Sequence, residues 1–165
     1  MKPLAIFGVN VLASFVSSVA AAVLFAIPWL QAQDAHVALL WLVVPQMFLR
    51  FIGLSFLVPG VVSRSLPRSW AAPAAYGDLV AGILAIIAAA ALIHNLSWAI
   101  AAVWTFNVWG AVDLLYGFYK GLRVNLALDP GLLGAGYYLV TAIVPPLLVS
   151  HALIFLLLVR AIGLR

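Results

Sequence analysis

The chain has 165 residues, of which 67% are hydrophobic and only 7% charged, with a net charge of +4 and no cysteine. A soluble domain carries about 25% charged residues, so there are too few charges to coat a globule in water, and lipid is the expected solvent for most of the surface. The missing cysteines exclude disulfides, thiol catalysis, iron–sulfur clusters and cysteine-ligated zinc, and three histidines are too few for a histidine-rich metal cage.

In chain order the hydrophobic pattern predicts an all-α integral membrane protein, a bundle of about five transmembrane helices forming one domain over 1–165. Span 1 covers about residues 4–30. Lys2 and the apolar run after it resemble a signal peptide, but no charge falls between Pro3 and Gln33, which is longer than an h-region of about 7–15 residues. The run is therefore read as a retained span. Asn10, Ser14, Ser17 and Ala21 give it one small, polar stripe, the pattern of a helix–helix contact in lipid. Pro28 and Gln31-Ala32-Gln33-Asp34 are expected to end it. Span 2 covers about 37–60 and stops at Pro59-Gly60. Span 3 is expected to start at Pro73 and run to about Ile93. The link His94-Asn95-Leu96-Ser97 is short enough to make spans 3 and 4 an antiparallel hairpin. Span 4 covers about 98–119. A loop with the turn signal Asp129-Pro130-Gly131 leads to span 5, about 132–159.

Basic residues set the orientation. Lys2, Arg64, Arg68, Lys120 and Arg123 fall on one side of the bundle, and Arg160 and Arg165 on the other. This predicts a cytoplasmic N-terminus and an outer C-terminus. Single or paired basic residues at span ends suit contact with anionic lipid headgroups rather than nucleic acid.

Three charges lie inside predicted spans: Arg50, Asp78 and Asp113. Each costs roughly 2.5–3.5 kcal/mol at a helix centre unless it pairs or meets water, so all three are expected to face the bundle interior. At a rise of 1.5 Å per residue the two aspartates lie about 8–10 Å in from the cytoplasmic side and Arg50 about 15 Å in, within reach of both. Gln46 and Asn107 lie deeper, at about 20 Å, and His151 nearer the outer side. Helical spacing puts Gln46, Arg50, Gly53 and Gly60 on one face of span 2. It puts Asn107, Gly110, Asp113, Gly117 and Gly121 on one face of span 4, and Asp78, Gly82, Ala85 and Ala89 on one face of span 3. Two aspartates and one arginine sum to −1, leaving one carboxylate free to take a proton or meet a cation. In span 5, Pro145 and Pro146 remove the N–H donors for the carbonyls of Thr141 and Ala142, and a kink is expected there.

These residues support three readings. The first is a small transport or ligand-binding protein, proton- or cation-coupled, with Arg50, Asp78, Asp113, Asn107, Gln46 and His151 as its candidate site. The second is an accessory or anchoring subunit of a larger membrane complex, in which the charges form a structural lock. The third, weaker reading is an intramembrane enzyme or haem carrier acting on lipid, quinone or isoprenoid. A haem needs two axial ligands on facing helices, whereas His36 and His94 sit in loops or at span ends. Ser150 and His151 are neighbours on a helix and do not face each other as nucleophile and base. Membrane lipids, and a homo-oligomer or larger membrane complex, are the expected partners.

Gly77-Asp78, the run Asn107-Val108-Trp109-Gly110-Ala111-Val112-Asp113, and Pro145 or Pro146 followed by His151 resemble recurring features of small, uncharacterised bacterial multi-pass membrane proteins. The resemblance covers spans 2 to 5. It implies a bacterial inner-membrane setting and no particular activity.

Overall fold

The computed structural model describes residues 2–163, so Arg165, counted above for orientation, lies outside the described residues. Regular structure among them is helical, without strands. Five helices are long and apolar enough to cross a membrane: α1 (Pro3–Gln31), α2 (Ala35–Leu57), α3 (Arg68–Ile93), α4 (Ala99–Arg123) and α5 (Gly136–Arg160). They run alternately up and down. The 58–67 and 124–135 connections meet at the end that holds the start of α1, where Ser63 N–H donates to the Leu132 carbonyl (3.0 Å) and Ala135 N–H to that of Val61 (2.9 Å).

Helix ends follow local chemistry, and several differ from the expected ones. Asp34 caps α2, accepting from the His36 N–H at 2.8 Å, so the helix starts at Ala35. α3 begins at Arg68 rather than Pro73. Pro73 stands in the second turn, where it forfeits only the bond to the Ser69 carbonyl. Asn95 and Asn125 take left-handed backbone conformations just beyond α3 and α4 (φ 48° and 54°), the geometry with which helices commonly close. α4 therefore extends past Tyr119 to Arg123. Pro130–Leu133 is a separate 3₁₀ turn, so α5 starts at Gly136 rather than Leu132. Gly134 joins the two at φ +52°, and a Cβ there would run into the Val61 carbonyl.

Prolines do not end the helices they interrupt. Pro28 and the 31–34 segment were expected to end span 1; α1 passes through Pro28 and ends at Gln31, the first residue of that segment. A π-turn at Ala22–Ala26 opens the winding one turn earlier and takes up the clash with the Leu24 carbonyl. Pro145 and Pro146 are matched in the same way by a π-turn at Leu139–Ile143. This segment holds Thr141 and Ala142, the two residues whose carbonyls lose their donors, and the Thr141 hydroxyl donates to the Tyr137 carbonyl at 2.8 Å.

Small residues set the packing distance. On α3, Ala71, Ala75, Asp78, Ala81, Gly82, Ala85, Ala88, Ala89 and Leu92 make a continuous buried face. It admits α2 on one side and α4 on the other. α1 is peripheral and rests on α5 and on the turns at 126–133. Its polar stripe, expected to mark a helix contact, turns toward α5 and meets it in part. Asn10 donates to the Tyr137 hydroxyl at 2.6 Å, while Ser14, Ser17 and Ser18 border an open groove against Pro146, Val149 and Ser150. Ala88 is fully buried and Ala90 exposed. Ala88→Leu should therefore overpack the bundle by about 1–3 kcal/mol and lower the melting temperature in detergent, read by circular dichroism, while Ala90→Leu leaves it unchanged.

Candidate functional site

The site begins with a change of winding in α2. The α-helix ends at Leu49, and Arg50–Leu57 tightens to 3₁₀. Arg50 stands at the junction and is completely buried. A guanidinium carries five N–H donors and no acceptor, and each donor finds a partner. Nε donates to Gln46 Oε1 at 3.0 Å. Nη1 donates to Asp78 Oδ1 at 2.6 Å and Asp113 Oδ2 at 3.2 Å. Nη2 donates to the Gly110 carbonyl at 2.7 Å and faces His151 Nε2 at 2.7 Å.

Because the guanidinium can only donate, His151 Nε2 must be the acceptor of that last bond. The ring is thereby assigned its neutral, Nδ1-protonated form. Its Nδ1–H then donates to Asn107 Oδ1 at 2.6 Å, and Asn107 Nδ2 donates to the His151 carbonyl at 3.1 Å. On the other flank Gln46 Nε2 donates to Ser150 Oγ at 2.7 Å, and Ser150 donates to the Leu147 carbonyl at 2.8 Å. All six candidate residues therefore belong to one network, which Ser150 extends.

The two carboxylates share a level below the guanidinium, as their depths predicted. His151, a member of the candidate site, was expected nearer the outer side than the aspartates. It touches the guanidinium because the long arginine side chain spans the interval between the aspartate level and the imidazole. Ser150 had been considered only as a nucleophile beside His151. It turns to Gln46 instead, and the two residues serve different ends of the network. Gly60 was expected on the same face as Arg50 but lies past the end of α2, in a turn.

Each charged group is seated where a neighbouring helix has no side chain. A Cβ on Gly53 of α2 would collide with the Asp78 carboxylate, and one on Gly77 of α3 with that of Asp113. A Cβ on Gly110 of α4 would come within 2.8 Å of Arg50 Nη2 and 2.6 Å of the His151 ring. Gly117, one turn beyond Asp113, meets nothing within 4 Å.

Gly117 faces a cavity of about 150 Å³ that reaches the carboxylates. Its walls are apolar and aromatic: Phe7 of α1, Phe56 of α2, Trp70 of α3, Phe118 of α4 and Val144 of α5, with Asp78 and Asp113 as its charged members. Trp70 is held in place by its Nε1–H, which donates to the Gly117 carbonyl at 2.9 Å. Each aspartate gives one oxygen to Arg50. The other oxygen rests against the glycine opposite, and among the described residues no donor reaches it. The two side chains keep 8% and 10% of their surface accessible. The arginine is thus fully satisfied while the carboxylates are half satisfied, and the group carries a formal charge of −1.

Both ring nitrogens of His151 are committed, so it offers no lone pair to an iron or other metal. No three acidic or histidine side chains among the described residues are grouped as metal ligands. Gly53→Ala, Gly77→Ala and Gly110→Ala should each cost about 1–3 kcal/mol through overpacking against a charged group. Gly117→Ala should be neutral or stabilising, by up to about 1 kcal/mol from helix propensity. Melting temperatures of the four purified variants would check the contrast.

No curated protein and no solved structure matches the chain. One family model does, that of a domain of unknown function, DUF8737, over residues 6–159. The match runs from within α1 to the last turn of α5 and includes every residue of the network, and the chain belongs to this family.

Proposed function

We propose that the chain is a multi-pass protein of the bacterial inner membrane, with five spans, a cytoplasmic N-terminus and an outer C-terminus. Five apolar helices of sufficient length support the spans, and the basic residues at the end shared by Lys2, Arg64, Arg68, Lys120 and Arg123 support the orientation. The native chain has no cysteine, so single cysteines report cleanly on sidedness. Ser97→Cys should react with a membrane-impermeant maleimide on intact cells, and Ser65→Cys only after permeabilisation. The reverse pattern would invert the orientation.

Within that setting we propose a small transport or ligand-binding protein whose Arg50, Asp78 and Asp113 group takes up a proton or a cation. One observation carries this reading: two carboxylates, which with Arg50 sum to a formal charge of −1 and each hold an oxygen that no protein donor satisfies, border an apolar cavity. Buried charges in spanning helices are costly and are usually retained for pathways or binding sites. In proteoliposomes enclosing a pH-sensitive dye, the wild-type protein should dissipate an imposed proton gradient. Asp113→Asn, which preserves shape, should slow that flux at least tenfold without changing the melting temperature. Equal rates in the two proteins would overturn the reading.

The fully occupied guanidinium supports a second reading, an accessory subunit in which the charges lock four helices together. It predicts no flux from the wild-type protein, a stoichiometric membrane partner on purification, and a clear loss of stability in both Asp78→Asn and Asp113→Asn.

A further inference from the structure

We propose that the cavity below the cluster binds a compact amphiphilic ammonium ion, a single positive charge on an apolar body about the size of one aromatic ring. The proposal rests on the ligand-binding reading above and gives it a substrate class. Three features of the cavity define that class. Its volume of about 150 Å³ matches that of an engineered protein cavity known to hold a single benzene ring. Its walls bring Phe7, Phe56, Trp70 and Phe118 from four different helices, and aromatic faces attract organic cations as well as apolar rings. Its charged members are two side chains at least nine-tenths buried, each with one oxygen lacking a protein donor.

The polarity of the ligand follows from the charge. The single fixed cation, Arg50, has no N–H to spare, so the cavity offers acceptors and no donors at its charged end. An anion would meet two carboxylates with nothing to neutralise it. A neutral ring would fill the apolar part and leave the two oxygens unsatisfied. An ammonium at the carboxylates that line the cavity brings the group to neutrality while its body lies among the rings.

The test is a titration of purified protein in detergent, followed by fluorine NMR, with 4-fluorobenzylammonium as probe and 4-fluorobenzyl alcohol as its neutral counterpart. The wild-type protein should bind the ammonium saturably and at least tenfold more tightly than the alcohol. Asp113→Asn should erase that preference. Gly117→Leu, which grows a side chain into the cavity from a position where a Cβ meets nothing, should abolish binding of both probes. Ala74→Leu fills the same cavity from α3 and replaces it if Gly117→Leu folds poorly. Equal affinity for the two probes, unchanged binding in the filled variant, or no saturable binding by folded wild-type protein would overturn the proposal. Proton flux in proteoliposomes, measured separately, still stands if only the ligand class is wrong.

Discussion

A guanidinium placed among apolar helices has five N–H groups that must all be satisfied, because each one left bare in a low-dielectric interior costs kilocalories rather than tenths. Arg50 meets that demand with acceptors from four helices: Gln46 on its own helix, Asp78 on α3, Gly110 and Asp113 on α4, and His151 on α5. The geometry of one planar group therefore fixes the register of α2, α3, α4 and α5. Sliding any of them by a turn, about 5.4 Å, strips a partner from a buried charge, and breaking such a pair costs about 3–5 kcal/mol. α1 contributes nothing to this set, and it is also the helix that lies outermost, resting on α5 and the 126–133 turns.

Charge enters this core only where backbone gives way. Each acidic side chain occupies space that a Cβ on a facing glycine would fill, Asp78 against Gly53 and Asp113 against Gly77, and Gly110 leaves room for Arg50 and His151 together. The 3₁₀ winding that begins at Arg50 belongs to the same arrangement, since it carries Gly53 against Asp78. The prolines act at a different place and by a different device. Pro28 of α1 and Pro145 and Pro146 of α5 each follow a π-turn that takes up the clash, away from the α2–α3–α4 contacts around the aspartates.

Hydropathy and helical spacing made the five helices and most of the polar cluster legible in the sequence. Arg50, Asp78 and Asp113 stood out because charge is rare in such segments, and 100° per residue placed them on facing sides at matching depths. What escaped depends on reach and winding rather than on pattern. His151 was a candidate, but its direct contact with Arg50 was not foreseen because depth was counted along the backbone, whereas an arginine side chain spans that gap. Ser150 carries no signal of its own: its role appears only when Gln46 is seen to face it. Pro28 read as part of the stop that residues 31–34 alone supply, because a π-turn is not encoded in any short motif. The start of α3 was set too late for a related reason, as a proline in a second turn costs one hydrogen bond and not the helix. The cavity is the least legible feature. It is a space left between Phe7, Phe56, Trp70 and Phe118, which are far apart in sequence and carry no joint periodicity.

The structural and the ligand-binding readings of the cluster are less opposed than they look. A single buried arginine balanced by one aspartate would be neutral and could serve as a lock alone. The second aspartate is the residue that a pure lock does not need. It shares the same Nη1 as the first, at the longer distance of 3.2 Å against 2.6 Å, and adds a formal negative charge that no other side chain in the network cancels. In an apolar interior an uncompensated charge is costly, and a group so placed takes up a proton or a counter-ion. Under the proposed reading that charge is held in reserve for what enters the cavity. The lock is then the precondition of the site: with every donor of Arg50 committed, the arginine cannot swing away to neutralise the second carboxylate, and the incoming cation or proton meets an acceptor already fixed in place.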